Sequence, residues 1–287
     1  MKKVILTPNP YRDDNFNTVR QAQKILLESG IDARLCLPFE VDRNTNLPKD
    51  LRFYRLDREF HDSDAVVCFG GDGTILHMAK AATRHSLPIL GVNIGTMGFM
   101  AELESGELSM LSRLAADGYT TDERMMLDVV VHRGQDIIFH DICLNDIAIT
   151  KGAIARIIYL NIKCDDVQAM ECGGDGVIFA TPTGSTAYSL SAGGPIVEPQ
   201  ASGIVITPVC SHDMASRCLV TSDKRVIKVC LTKNTKRNAF LSVDGGKALK
   251  LNFGDVVTIR KSDLTTKLIR LKNRCFYDVL NMKFRNG

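Results

Sequence analysis

An α/β domain followed by a mostly antiparallel β domain is the fold that this chain of 287 residues predicts. Three observations carry the prediction. Over about the first 120 residues, short apolar runs alternate with segments of helical period, the pattern of a parallel sheet. From about Thr121, strand-like runs follow one another with almost no helix between them. The length suits two domains of about 150 residues each.

The elements follow in order. Val4-Ile5-Leu6 is a short apolar strand. Thr18 to Ser29 places Val19, Ala22, Ile25 and Leu26 on one helical face, with Gly30 as the stop. Ala33 to Leu37 reads as a second strand, and 39–62 as a polar loop. Ala65 to Phe69 is a continuous apolar run, expected of a strand buried on both faces. A helix from Thr74 to Thr83 and a strand from Pro88 to Val92 come next. Ser105 caps a helix whose apolar face is Leu108, Leu111, Leu114 and Ala115. Together these make a Rossmann-like α/β domain over 1–120.

The β-rich domain spans 121–271, and a tail from about 272 to 287 is apolar enough to dock back on the first domain. Its expected strands are Met125–His132, Ile137–Thr150, Arg156–Lys163, Val177–Ala180, Ile204–Thr207, Arg225–Leu231, Ala239–Val243, Val256–Arg260 and Lys267–Leu271. Only Ser185 to Gly193 interrupts with helix. A sandwich-like two-layer arrangement is the natural packing for such a run of strands.

Composition excludes several classes. Lys plus Arg is 36 and Asp plus Glu is 33, so the charge of +3 supplies no basic excess for a nucleic acid. Hydrophobic residues at 45% and charged residues at 24% are those of a globular chain. No run approaches the ~18 apolar residues of a membrane span. The apolar start stops at Thr7-Pro8, too short for a secretory signal. The nine Cys are odd in number and lack C-x-x-C spacing, which predicts reduced, buried thiols in a cytoplasmic protein. Lys233, Lys236 and Arg237 read as solvated surface, and Met97 as filler.

Gly70-Gly71-Asp72-Gly73-Thr74 follows the buried strand and opens a helix. Glycines there let backbone N–H groups approach a phosphate closely. A carboxylate among phosphates repels them unless it binds a metal or takes a proton from an attacking hydroxyl. The structural alternative is a βα turn with Asp72 as helix N-cap. Neither G-x-x-x-x-G-K-[ST] nor G-x-G-x-x-G after a strand occurs, which excludes a P-loop and an ordinary dehydrogenase fingerprint. The second signal runs from Gly173-Gly174-Asp175-Gly176 through Thr183-Gly184-Ser185-Thr186-Ala187-Tyr188 to Ser191. Small hydroxylated residues leave room for a planar ligand, and Tyr188 can cover it; a plain Ser/Thr/Gly turn explains the same residues.

With Leu144-Asn145-Asp146, Ser242-Val243-Asp244-Gly245-Gly246, Gly91-Val92-Asn93-Ile94-Gly95, Gly98-Phe99 and Thr207-Pro208, in this order, these motifs resemble those of the NAD kinase family. The resemblance covers most of the chain, from about 65 to 246. It implies transfer of the γ-phosphoryl of ATP to the adenosine-ribose 2′-hydroxyl of NAD, with Mg²⁺ or another divalent cation, by a homodimer or homotetramer. It also implies an N-terminal α/β and a C-terminal β domain. By the same resemblance Asp72 acts on the 2′-hydroxyl, and the Gly71 and Gly73 backbone approaches the phosphates. Asn145 and Asp146 hold ribose hydroxyls. Asp175, Thr186, Ala187, Tyr188 and Ser191 line the adenine and nicotinamide ends, Asp244 faces the reacting phosphates, and Phe99 walls the adenine. No motif assigns metal ligands.

Two departures stand out. Asp146 occupies the place of a family Glu, and Gly173 that of a basic residue in some members. Two rivals remain at this stage. A lipid or sugar kinase would share the first loop but leaves Asn145 and Thr186-Ala187-Tyr188 unexplained. A non-catalytic dinucleotide sensor would not need Asp72.

Overall fold

The computed structural model describes residues 1–42, 45–95, 98–152, 156–213, 216–232 and 238–285. Met97, Lys233, Lys236 and Arg237 lie outside the described residues. The chain forms two compact units, 1–123 with 266–287, and 124–265.

The first unit contains β1 (Lys3–Pro8), α1 (Asn17–Glu28), β2 (Asp32–Cys36), β3 (Phe53–Tyr54), α2 (Leu56–Glu59), β4 (Ala65–Gly70), α3 (Asp72–Arg84), β5 (Ile89–Asn93) and β6 (Leu103–Glu104). A 3-10 helix, Ser105–Leu114, follows. The strands run parallel in the order β5–β4–β1–β2–β3, with Pro8 opposite Phe69 and Gly70 opposite Asn93. β6 and Leu268 also pair with β5. Every residue of β4 is buried, and Val67 and Phe69 pack with Val19, Ala22 and Leu26 of α1. The strand order reverses between β1 and β4. Open α/β sheets bind ligands outside the carboxyl ends of their strands at such a reversal.

Two expectations fail here. Residues 39–62 hold β3 and α2, because Phe53 meets Phe16 edge-on at 5.6 Å and packs on the core with Leu47 and Leu51. These few apolar positions are too scattered to show a period. Glu104 rather than Ser105 precedes the first turn of the 3-10 helix, and its N–H donates to the Glu107 carboxylate at 2.9 Å.

The second unit is built from β7 (Thr120–Arg133), β8 (Asp136–Cys143), β9 (Asp146–Lys151), β10 (Ile158–Cys164), β11 (Val167–Gly174), β12 (Gly176–Ala180), β13 (Ile204–Val209), β14 (Leu219–Thr221), β15 (Ile227–Leu231), β16 (Ala239–Val243), β17 (Leu249–Leu251) and β18 (Asp255–Arg270). The first residues of β7 and the last of β18 belong to the first unit. One sheet is antiparallel throughout, β14–β13–β12–β9–β16–β17. The other runs β11–β10–β15–β18, with β7 beside β18 and β8 beside β7. One core lies between them, with Ile149, Phe179, Ile206 and Leu241 from the first and Val129, Ile162, Val229 and Val257 from the second. This is the two-layer packing that the sequence predicts.

Boundaries differ in instructive ways. The expected strand 137–150 breaks at Leu144-Asn145, and the two expected strands at 256–260 and 267–271 are one, β18. β11 escapes a reading by hydropathy because half of it is exposed. α4 (Tyr188–Ser191) and a 3-10 turn, Thr183–Thr186, occupy the expected helix, and α5 (Phe276–Arg285) closes the chain. All nine cysteines are free, but Cys210, Cys218 and Cys275 are exposed, so burial protects only part of the set. Among the described residues no helix is long and apolar enough to cross a membrane.

Candidate active site

In the first unit the site grows from the end of β4. Gly70 has φ +155°, and a Cβ there would stand 2.2 Å from Thr74 Oγ1, so only glycine makes this turn. Gly71 is the extended residue before α3, and Thr74 N–H closes the turn on Gly71 O at 2.9 Å. Asp72 is therefore inside the first helical turn and is not its cap. Its carboxylate instead accepts Phe99 N–H at 2.7 Å and Met100 N–H at 3.1 Å. An ionised carboxylate has about four lone-pair sites, so each oxygen keeps capacity for a ligand. A Cβ at Gly73 would meet nothing within 4 Å, which leaves the backbone open to a bulky anion. Phe99 packs against Phe276 at 6.3 Å between ring centroids, and Lys283 Nζ lies 4.8 Å over its ring. The C-terminal helix thus supports a residue that the motifs alone leave unsupported.

A Cβ at Gly98 would stand 1.8 Å from Asp72 Oδ1. Gly98→Ala must therefore push the carboxylate off Phe99 and Met100. A displacement of about 1 Å at reacting groups costs about 10²-fold. We expect kcat in Gly98→Ala to fall by about that factor while the fold survives, as read by steady-state kinetics beside circular dichroism.

In the second unit the site forms where β8 stops. Both oxygens of Asp244 accept backbone N–H groups: Leu144 at 3.0 Å, Asn145 at 2.8 Å and Asp146 at 3.1 Å. Asp244 N–H returns a bond to Asp146 O at 2.9 Å. This clamp, from a residue with φ +50°, breaks the strand and presents Asn145. Thr181 holds the same corner, with its N–H on Asn145 O at 2.9 Å and its hydroxyl on Leu144 O at 2.6 Å. Asn145 Oδ1 is buried with no hydrogen-bond partner. An unpaired buried acceptor is costly unless a ligand donates to it, and a ribose hydroxyl is such a donor.

Several hydroxyls of the following loop are spent on the loop and on β13. Ser185 Oγ donates to Pro182 O at 2.7 Å, Thr186 Oγ1 donates to Thr183 O at 3.2 Å, and Ser189 Oγ meets Thr207 Oγ1 at 2.8 Å. Tyr188 and Ser191 are exposed, and Thr186 and Ala187 are half-buried. Asp175 is elsewhere. It forms an ion pair with Lys151 at 2.8 Å. In the β9–β12 register Asp146 faces Ala180, whereas Gly176 faces Thr150, so Asp175 sits at the far end of the pair. At about 3.4 Å per residue that is roughly 14–17 Å away. A compact ligand cannot touch both.

Asp146 is 7% exposed. Burial first, and then the charge of Asp244, push its carboxyl up to about 7 from 3.8. The unfolded chain ionises near 3.8 and the folded chain near 7, so stability falls as pH rises between these values and is level above about 7. Asp146→Asn has no such loss. We expect its Tm advantage over the parent to be small at pH 4, to grow to pH 7, and then to hold, at up to about 1.4 kcal/mol per pH unit of the window. Thermal denaturation across this pH series checks it.

Among the described residues no three His, Cys, Asp or Glu converge to hold a metal. Asp72, Gly71, Gly73 and Phe99 thus form one cluster, in the first unit. Asn145, Asp146 and Asp244 form another, in the second.

Comparison with known proteins covers both halves of the chain. The family described as "ATP-NAD kinase N-terminal domain" matches residues 4–119, and "ATP-NAD kinase C-terminal domain" matches 144–271. The chain is 39% identical to the NAD kinase of Acetivibrio thermocellus, over 99% of this chain and 97% of that one. It is 42% identical to the NAD kinase of Ruminiclostridium cellulolyticum, over 99% and 98%. Among solved structures it is similar to an NAD kinase from Archaeoglobus fulgidus in complex with ATP, at TM-score 0.75 and 25% identity, with 100% of each chain covered. A yeast NADH kinase complexed with NADH shares the fold at TM-score 0.85 and 24% identity, over 100% of this chain and 89% of the other. Full-length identity to these curated relatives, with both domains matched, places the chain in the ATP-NAD kinase family.

Proposed function

We propose that this protein is an ATP-dependent NAD kinase that moves the γ-phosphoryl group of ATP to the adenosine-ribose 2′-hydroxyl of NAD. The observation that carries the reading is Asp72, a carboxylate fixed by two N–H groups on an open glycine loop at the sheet's reversal point. Binding alone does not require it. In the reaction the hydroxyl proton passes to Asp72, the oxygen bonds to the γ-phosphorus, and the bond to the ADP oxygen breaks. Products are NADP and ADP. Such transfers need positioning and charge neutralisation more than covalent help.

The remaining roles rest on the family resemblance. The Gly71 and Gly73 backbone receives phosphate oxygens. Asn145 Oδ1 accepts a ribose hydroxyl and Asp146 a second, whereas Asp244, expected at the reacting phosphates, has its carboxylate on three backbone N–H groups and acts by holding the backbone of both. Thr186, Ala187, Tyr188 and Ser191 face the rings of NAD, with Phe99 at the adenine and Asp175 at the distant end. Mg²⁺ is commonly held by substrate phosphates and one or two carboxylates rather than by a protein cage. That mode suits a donor set in which Asp72 is the carboxylate of the glycine loop. Bound there, the ion would neutralise charge on the transferring group.

One incubation with Mg²⁺, ATP and NAD, read by an NADP-specific dehydrogenase, tests the reading. NADP is expected from the parent protein. NAD binding without NADP would instead make this a dinucleotide sensor. We place the enzyme in the cytoplasm, where exposed thiols such as Cys210 and Cys218 stay reduced. We also expect a homodimer or homotetramer, seen in light scattering as a species heavier than the 31.7 kDa chain.

A further inference from the structure

We propose that Arg12 binds the phosphate chain of the phosphoryl donor, an assignment that rests on the kinase reading above. Arg12 lies on the turn that leaves β1, next to the glycine loop that leaves β4, and these two strands flank the reversal of strand order. The turn is built rigidly. Asn9 N–H donates to Phe69 O at 3.0 Å, and the N–H groups of Arg12 and Asp13 both donate to Asn9 O, at 3.1 and 3.0 Å. Asn9 Nδ2 reaches Thr74 Oγ1 at 3.4 Å. The Asp13 carboxylate accepts Thr18 N–H at 2.9 Å and Val19 N–H at 3.0 Å, which ties the turn to the start of α1.

From this turn the guanidinium extends between two glycines of two other loops. Arg12 Nη1 lies 3.8 Å from the place a Cβ would take on Gly71, and 3.7 Å from that on Gly95. Asn93 Nδ2 fixes the second of these by donating to Gly95 O at 3.0 Å. Both glycines leave room for the guanidinium and for an anion beside it.

The charge is also unspent. Among the described residues Arg12 makes no side-chain ion pair, whereas Arg20 pairs with Asp50, Arg34 with Asp32 and Arg133 with Asp255. Of the acids nearby, Asp13 turns its carboxylate to the N–H groups of α1, and Asp72 holds those of Phe99 and Met100. An unpaired guanidinium over a glycine backbone matches the fork geometry of a phosphate.

Two phosphate sources meet in this enzyme, the triphosphate of the donor and the pyrophosphate of NAD. Arg12 serves the donor. Gly71 adjoins Asp72, which works on the 2′-hydroxyl, and the group in line with that hydroxyl is the γ-phosphoryl. The NAD pyrophosphate hangs from the 5′ carbon, away from the reacting oxygen.

The test uses Arg12→Gln and Arg12→Lys in the full chain with Mg²⁺. Calorimetry with inorganic tripolyphosphate, which needs no turnover, should show binding weakened at least about tenfold in Arg12→Gln. NAD affinity should stay within about threefold. An arginine that neutralises a transferring phosphoryl contributes about 10³–10⁵ in rate, so kcat/KM for ATP should fall by at least about 10². Arg12→Lys keeps the charge without the fork and should recover part of the loss. A loss confined to NAD affinity would move Arg12 to the pyrophosphate and overturn the assignment. So would unchanged tripolyphosphate binding in a variant of a parent that makes NADP. A parent that makes no NADP overturns the kinase reading and the donor assignment together.

Discussion

Asp72→Asn lowers kcat by about 10²–10⁴ and leaves NAD binding within about tenfold; this is the first expected result. The asparagine oxygen can still accept one N–H, from Phe99 or Met100, so the loop keeps half of its anchorage. The amide nitrogen then faces the other N–H, donor against donor, which accounts for the modest loss allowed in binding. What the amide cannot do is take a proton from the ribose hydroxyl at neutral pH. The loss must therefore fall on turnover. Coupled kinetics give kcat, and calorimetry with NAD gives affinity. Turnover within threefold of the parent would remove Asp72 from the mechanism.

Gly184→Ala carries the largest expected effect on stability. A Cβ there would lie 2.0 Å from Asn145 O, 2.4 Å from its carbonyl carbon and 2.6 Å from its Cα. All three are backbone atoms, so no side chain can rotate aside. The corner they belong to is held by Thr181, whose hydroxyl also accepts Gly184 N–H at 3.0 Å, and by Asp244. Relief has to come from moving the corner. Overpacking costs about 1–3 kcal/mol, and a backbone clash belongs at the upper end. Tm should drop by roughly 6–12 °C. NAD binding should fall with it, because Asn145 moves. Gly106→Ala, whose Cβ meets nothing within 4 Å, is the neutral control. Equal melting of the two variants would show that the corner yields freely.

How much of this was legible in the sequence depends on distance along the chain. β4 is plain from Ala65 to Phe69 because five consecutive apolar residues need only local context, and Gly70 to Thr74 announces an anion loop by composition. The two-layer β unit is likewise visible in alternation that neighbours share. The partners of Asp72 are not, because they lie 27 and 28 residues away. The break between β8 and β9 has its cause in Asp244, 98 to 100 residues downstream, and no local period marks it. Arg12 is invisible for the same reason. In sequence it is one basic residue in a polar turn, and its meaning comes from Gly71 and Gly95 on other loops. The family resemblance supplied the candidate site residues, and the geometry separates those that are exposed, such as Tyr188, from those such as Asp244 that hold backbone in place.

The first unit is drawn from both ends of the chain, and this sets an order in time. Residues 1–123 emerge from the ribosome first. Glu102, 3% exposed, then has neither Arg270, its partner at 3.3 Å, nor the N–H groups of Leu271 and Lys272 that it accepts at 2.9 and 2.7 Å. A buried acid without partners is strongly destabilising. At about 5–20 residues per second, residues 124–265 take roughly 7–30 s to be made. Through that interval the nascent α/β half exposes the edge of β5 that Leu268 later occupies. The β-rich half has all its strands before then. Vectorial synthesis therefore completes the second unit before the first, and the carboxyl-terminal segment is the last piece of the domain that carries Asp72.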